Sequence, residues 1–157
     1  MISRAVSSHN GFTAIELLVV LGIVVLLSAL AVPLSSGWHS GSLLDSAATQ
    51  IIQTIRLAQN RSLARYNTEG HGVFFQINSG ADRVILYQGS SYASRDANYD
   101  RVLELSTVLT LTTTLTGNEV NFSKGLGVPT TTGIITITHI TSGSRTLSLN
   151  SIGTVEQ

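Results

Sequence analysis

The chain has 157 residues, in which nine Lys and Arg residues balance nine Asp and Glu residues, and it contains no cysteine. This length suggests one modest domain behind an N-terminal segment. The even charge gives no sign of a polyanionic partner such as nucleic acid, and the lack of cysteine excludes a disulfide framework. Only 11% of the residues are charged, while Ser, Thr and Gly are plentiful, as is typical of a β-rich exported domain.

The N-terminal part of the chain is a short polar segment followed by a long apolar run. Arg4 is the one charged residue before Glu16, and residues 17–34 contain none. A helix over residues 12–34 would be about 35 Å long, which is enough to span a bilayer with some tilt. Arg4 then predicts a cytoplasmic N-terminus. A carboxylate entering a bilayer costs about 2.5–3.5 kcal/mol, so Glu16 needs a partner or a role.

The start of the apolar run carries a recognisable motif. Residues 11–20 read Gly-Phe-Thr-Ala-Ile-Glu-Leu-Leu-Val-Val. This segment resembles the processing site of type IV prepilins and type II secretion pseudopilins. The resemblance implies that residues 1–11 are a leader peptide and that a prepilin peptidase cuts between Gly11 and Phe12. It further implies N-methylation of Phe12 and a role for Glu16 in pairing subunits during assembly.

The same resemblance extends along the apolar run to its end. The family has a proline late in this segment, and Pro33 matches it. Residues 12–34 are therefore expected to form a helix that lies first in the membrane and later in the core of a filament. Within that helix, we expect Gly22 to be a soft point and Pro33 to introduce a kink.

An ordinary secretory signal peptide is the main alternative for this region. Arg4 would supply its basic start, residues 17–27 its apolar part, and residues 29–31 a small-residue cleavage site. The mature chain would then begin at Val32 and be a secreted β-domain binding protein. Glu16 fits this interpretation poorly, because an acidic residue at that position opposes the usual charge bias. A plain membrane anchor is a third interpretation.

The rest of the chain predicts one amphipathic helix followed by strands. Helical periodicity covers residues 42–66, within a segment of residues 35–66. Its apolar stripe consists of Leu44, Ala47, Ala48, Ile51, Ile52, Ile55 and Ala58. Period-two patterns predict strands at 72–77, 83–88, 101–105, 107–116, 119–123, 134–141, 145–150 and 152–155. The predicted fold class is α+β, in which residues 67–157 form an antiparallel sheet or small sandwich that buries the helix stripe.

This order of elements resembles the GspH/FimT group of pseudopilins and minor pilins. Further likeness lies in the helix end at residues 55–64 and in the C-terminal segments 121–123 and 151–155. The resemblance implies a pilin fold and a minor pseudopilin of a type II secretion system, with a FimT-like minor pilin of a type IV pilus as the alternative. DNA-binding members of the group end in basic residues, whereas here Gly153 is followed by Thr-Val-Glu-Gln, so nucleic acid is not an expected partner.

Location and partners follow from the same resemblance. The subunit is expected in a bacterial inner membrane as a single-pass protein, with its C-terminal domain in the periplasm, and afterwards in a pilus or pseudopilus. The implied partners are a prepilin peptidase, other pilins or pseudopilins, the lipid bilayer before assembly, and an inner-membrane assembly platform. A motor ATPase must be a separate protein, since this sequence has no phosphate-binding loop.

The sequence predicts no enzyme and no cofactor, because it has neither a nucleophile elbow nor a dinucleotide fingerprint. One weak metal candidate exists. Asp96, Asn98 and Asp100 alternate like the first ligands of a calcium loop, but Arg101 stands where the glycine belongs and Thr107 where the closing glutamate belongs. A solvated loop is the favoured interpretation.

Three arginines crowd the second half of the predicted amphipathic helix, namely Arg56, Arg61 and Arg65. Basic side chains are favourable near a helix C-terminus, so a solvated face explains them. The alternative is that the three arginines form a stripe that contacts a partner.

Overall fold

The computed structural model describes residues 12–31, 36–78 and 80–157. The fold class is α+β, as predicted, with two helices and antiparallel sheets. The helices are α1 (Ala14–Ala31) and α2 (Ser36–Leu63). The strands are β1 (His71–Gln76), β2 (Arg83–Gln88), β3 (Arg101–Glu104), β4 (Leu109–Thr113), β5 (Glu119–Phe122), β6 (Gly133–His139), β7 (Gly143–Leu149) and β8 (Val155–Glu156). The chain divides into two compact units, Met1–Trp38 and His39–Gln157.

The larger unit contains two four-stranded sheets. The first has the strand order β3-β2-β1-β5 and the second the order β4-β6-β7-β8, and every strand pair is antiparallel. Strands of each sheet alternate between residues that face the core and residues that face outward, as the pleat requires. The buried side chains of both sheets and of α2 form one hydrophobic cluster. The predicted packing of an amphipathic helix against a small sandwich is confirmed.

The apolar stripe of α2 supplies the helical side of this core. Six of the seven predicted stripe residues are buried, and Ile52 packs against the cluster while partly exposed. Because these residues are spaced by three and four, a helix places them all on one face, and only a helix lets the core bury them together. Replacing a fully buried isoleucine such as Ile51 by alanine removes about 2–5 kcal/mol of stability in comparable cores.

The prediction was wrong about where α2 ends. The helix stops at Leu63 rather than at residue 66. Just beyond it, Arg65, Asn67 and Thr68 have φ values of 52°, 51° and 61°. Residues other than glycine adopt this left-handed backbone conformation at a cost in energy, and a right-handed helix cannot continue through it. The chain therefore reverses sharply between α2 and β1.

The predicted strands agree with the structure to within a few residues, except for the last one. The prediction placed a strand at 152–155, whereas β8 is Val155–Glu156. A turn occupies the preceding positions, since the side-chain oxygen of Asn150 accepts hydrogen bonds from the backbone of Ile152 and Thr154. Gly153 in this turn has a φ of 84°, which favours glycine.

Candidate functional site

The first candidate site is the start of α1, where the predicted assembly residue lies. Thr13 immediately precedes the helix, and its hydroxyl oxygen accepts a hydrogen bond from the backbone N–H of Glu16 at 3.3 Å. Thr at the N-cap with Glu three residues later is the sequence of a capping box. A carboxylate in the first turn is also stabilised by the helix dipole. The observed bond is made by the backbone of Glu16, and the sequence signal Thr-x-x-Glu for this helix start was missed.

The surface of α1 is apolar all round. Every residue from 12 to 28 is exposed, and Glu16 is the sole charged residue of the helix. Twelve large apolar side chains are more than half exposed: Phe12, Ile15, Leu17, Leu18, Val19, Val20, Leu21, Ile23, Val24, Val25, Leu26 and Leu27. The helix continues through Gly22, where an added Cβ would meet no atom within 4 Å. The expected soft point there stays a prediction.

Two predicted site residues, Gly11 and Pro33, lie outside the described residues, as does the end of the predicted span 12–34. The cleavage site is therefore described on its Phe12 side only. In the part of the chain that the structure describes, no helix has both the length and the apolar character needed to cross a membrane.

The weak metal candidate forms local contacts within its own loop. Asp96 accepts hydrogen bonds from the backbone and side-chain nitrogens of Asn98 at 3.0 and 2.9 Å, and so caps a short 3₁₀ turn. Both carboxylate oxygens of Asp100 accept from Nε of Arg95, at 3.1 and 2.8 Å. Asp96 also lines a surface hollow of about 310 Å³ with Glu69. Among the described residues, no three His, Cys, Asp or Glu side chains are grouped as metal ligands.

The loop between β2 and β3 is held on the outward face of the first sheet by an aromatic stack. The Tyr92 ring stacks on the Phe74 ring, with 3.8 Å between the ring centres. The guanidinium carbon of Arg95 lies 3.7 Å from the centre of the Tyr92 ring. The backbone N–H of Tyr92 and the hydroxyl of Tyr87 both donate to Glu119, at 2.8 and 2.9 Å. Burial raises the pKa of Tyr87 well above its ordinary value. These contacts hold the loop in place. No periodic pattern in the sequence predicted them.

The second candidate site is the end of α2, where the three arginines lie. Arg56 and Arg65 are exposed, and the guanidinium of Arg61 lies 5.3 Å from the centre of the Tyr66 ring. None of these arginines takes part in the ion pairs found among the described residues.

A buried histidine lies next to this helix end. His71 is 1% exposed, and neither of its ring nitrogens has a hydrogen-bond partner among the described residues. Its ring centre is 5.9 Å from that of Tyr66, and its backbone N–H donates to the Ser62 hydroxyl at 2.8 Å. Burial, and then the charge of Arg61, lower the pKa of His71 below its ordinary value.

No family model, curated protein or solved structure matches this chain.

Proposed function

We propose that the chain is a filament subunit with the pilin fold, a minor pseudopilin of a type II secretion system. Prepilin peptidase would remove residues 1–11, and the subunit would enter a periplasmic pseudopilus that drives protein export. One observation carries this proposal. Glu16 lies in the first turn of α1, which presents apolar side chains on all sides and begins just after the Gly11–Phe12 junction.

The exposed apolar surface of α1 is the first argument. Soluble monomers rarely expose contiguous apolar patches larger than a few hundred Å², and larger ones mark contact with protein or membrane. A helix that is apolar all round is normally buried. Lipid before assembly and neighbouring apolar helices after it would both cover the side chains of residues 12–28.

The position of Glu16 is the second argument. Cleavage after Gly11 would create a positively charged amine on Phe12, four residues before Glu16. A carboxylate buried among apolar helices is costly when unpaired, whereas a matching cation from the neighbouring subunit offsets that cost and sets the register. The Thr13 cap holds the first turn in helical form, and so fixes where the Glu16 side chain starts.

In this proposal the subunit waits in the inner membrane, with its β-rich domain in the periplasm, until an assembly platform and a separate motor ATPase add it to the filament. A FimT-like minor pilin would use the same cleavage and the same pairing of Glu16. The two proposals differ only in the filament, which would be a type IV pilus instead of a pseudopilus. Isolating both kinds of filament and probing each for this chain distinguishes the two.

A secreted binding domain is the candidate from a different class. One observation favours it: the hydrophobic cluster lies entirely between Leu44 and Val155, within the unit His39–Gln157. A secreted form would begin at Val32.

The first experiment measures the intact mass and N-terminal sequence of the protein taken from its native membranes. The proposal expects a membrane-retained chain that begins at Phe12 and is heavier by one methyl group. A soluble chain beginning at Val32 would instead identify the secreted domain, and the proposal would fall.

The second experiment tests Glu16 itself. Glu16→Ala and Glu16→Gln should both be cleaved normally but should enter filaments at a small fraction of the wild-type amount, since neither offers a negative charge. Glu69→Ala, which removes an exposed carboxylate from the larger unit, is the control and should assemble normally. Normal incorporation of Glu16→Gln would contradict the proposed pairing.

A further inference from the structure

Three exposed aliphatic residues stand on segments that come together at the end of α2. Leu63, Leu126 and Ile152 are 45%, 74% and 70% exposed. We call them the terminal patch. Single exposed apolar residues are ordinary on protein surfaces, but a group of them from three separate segments is a candidate interaction site.

Direct contacts hold these three segments together. The side-chain nitrogen of Gln59 donates to the carbonyl of Gly127 at 3.1 Å and to that of Ile152 at 3.0 Å. Gly127 and Gly153 have φ values of 63° and 84°, which favour glycine. A Cβ at these positions would come within 2.6 Å of the Leu63 side chain and within 2.3 Å of the Gln59 side chain. The two loops therefore lie directly against the end of α2.

Positive charge flanks the terminal patch on two sides. Arg56, Gln59 and Leu63 are spaced by three and four residues, which places them along one face of α2. On the other side, the guanidinium of Arg65 comes within about 3 Å of the position a Cβ of Gly125 would take, next to Lys124.

The flanking cations take part in no ion pair within the part of the chain that the structure describes. Arg56, Arg65 and Lys124 are all exposed, and none belongs to the ion pairs of the described residues. The aliphatic centre and basic margins are complementary to a surface with aliphatic side chains and carboxylates.

We propose that the terminal patch docks an acidic protein segment that carries aliphatic anchor residues. The aliphatic side chains would be buried against Leu63, Leu126 and Ile152, while carboxylates would pair with Arg65 and Lys124. Nucleic acid fits less well, because its bases stack on aromatic rings and the terminal patch is aliphatic. The exposed ring nearest along the chain, Tyr66, already has the Arg61 guanidinium over one face. An anionic membrane surface normally requires a cluster of about four to eight cations. This inference is independent of filament assembly.

The test presents a library of random peptides to the full chain in neutral detergent micelles. Wild-type protein should enrich peptides that combine Asp or Glu with Leu, Ile or Val. The double variant Arg65→Glu with Lys124→Glu should lose these peptides and enrich basic ones. Arg101→Glu reverses the charge of an exposed arginine on β3 that, like Arg65 and Lys124, belongs to none of the ion pairs of the described residues. This variant is the control and should select the wild-type peptides.

A second measurement uses fluorescence anisotropy with one enriched peptide. Leu126→Ser with Ile152→Ser should weaken its binding by about tenfold, which corresponds to about 1.4 kcal/mol. Val102→Ser is the control, because Val102 is also exposed, at 56%, but lies on β3. Unchanged thermal unfolding of each variant establishes that it is folded.

Three results would overturn the proposal. The first is a selection without acidic enrichment, and the second is the same selection by the Arg65→Glu, Lys124→Glu variant. The third is displacement of the peptide by a single-stranded oligonucleotide or by anionic vesicles at equal or lower concentration, which would assign the terminal patch to nucleic acid or lipid.

Discussion

The carboxylate of Asp82 accepts a hydrogen bond from the backbone N–H of Leu111 at 2.7 Å. This contact joins the turn before β2, in the first sheet, to edge strand β4 of the second sheet. The other carboxylate oxygen accepts from the backbone of Asn78 at 2.9 Å, within the same turn. Asp82 is 2% exposed, so one buried side chain both shapes a turn and connects two sheets.

Replacing Asp82 by alanine should therefore destabilise the fold. Two backbone N–H groups, on Asn78 and Leu111, would lose their acceptor, and an unsatisfied buried donor costs about 1–3 kcal/mol. Leu111 is buried whereas Asn78 is exposed to water, so we expect a loss of about 1–3 kcal/mol in the free energy of unfolding. Urea denaturation of the full chain in micelles measures it. Glu156→Ala, at an exposed carboxylate, should change it by less than about 0.5 kcal/mol. Equal losses in the two variants would contradict this account.

A second prediction concerns the close approach of β1 to the Tyr87 ring. A Cβ on Gly72 would lie 2.4 Å from the Tyr87 ring and 2.7 Å from the carbonyl oxygen of Val120. Because backbone cannot move away as a flexible side chain can, Gly72→Ala should destabilise by about 1–3 kcal/mol or more. Gly41→Ala, on α2 with open space around the added atom, should instead stabilise by up to about 1 kcal/mol. Thermal unfolding of both variants checks the opposite signs.

His71 should make stability depend on pH. Its pKa is lowered in the folded protein, chiefly by burial and next by Arg61, with the backbone and charge of Glu69 opposing the change. The unfolded state therefore binds the proton first, so stability is complete above about pH 6.5 and falls as the pH drops below that value towards the folded pKa. One proton contributes a slope of at most about 1.4 kcal/mol per pH unit.

The measurement for His71 is a series of urea denaturation curves between neutral and mildly acidic pH. His71→Leu places an apolar side chain that cannot titrate in the buried site. This variant should remove most of the dependence of stability on pH below about pH 6.5. A slope that persists unchanged in this variant would assign the pH dependence to other groups.

The cap of α1 gives the fourth prediction. Thr13→Ala removes the acceptor for the Glu16 backbone N–H, and losing such a cap costs about 0.5–2 kcal/mol of helix stability. The amide hydrogens of the first turn should exchange faster in the Thr13→Ala variant in micelles, while Thr13→Ser should keep the wild-type rates. If the two variants exchange alike, the hydroxyl does not cap this helix.

The larger unit could be predicted from sequence wherever one physical rule acted over several residues. Burial on one face of a helix imposed the spacing that runs from Leu44 to Ala58, and β2 was predicted at the bounds it has. Each of these depends on neighbours in the chain, and a periodic pattern records them.

Contacts between distant residues left no such record. Asp82 meets Leu111 across two sheets, and Tyr92 stacks between Phe74 and Arg95 on an irregular loop. The reversal at Arg65 was also missed, because left-handed backbone at an arginine follows from the fold and not from the residue. At the start of α1, the sequence singled out Glu16 as a site residue. The part played by Thr13 became visible only in the structure, through its hydrogen bond with the Glu16 backbone.

The position of Val155 in the core has a consequence for biosynthesis. Val155 is 4% exposed and belongs to the same cluster as Leu44, although the two residues stand at opposite ends of the larger unit. Strand β8 cannot close the second sheet until residue 155 has left the ribosome and, in an exported protein, has also crossed the membrane. The domain should therefore remain open to proteases throughout its passage and become resistant in a single late step.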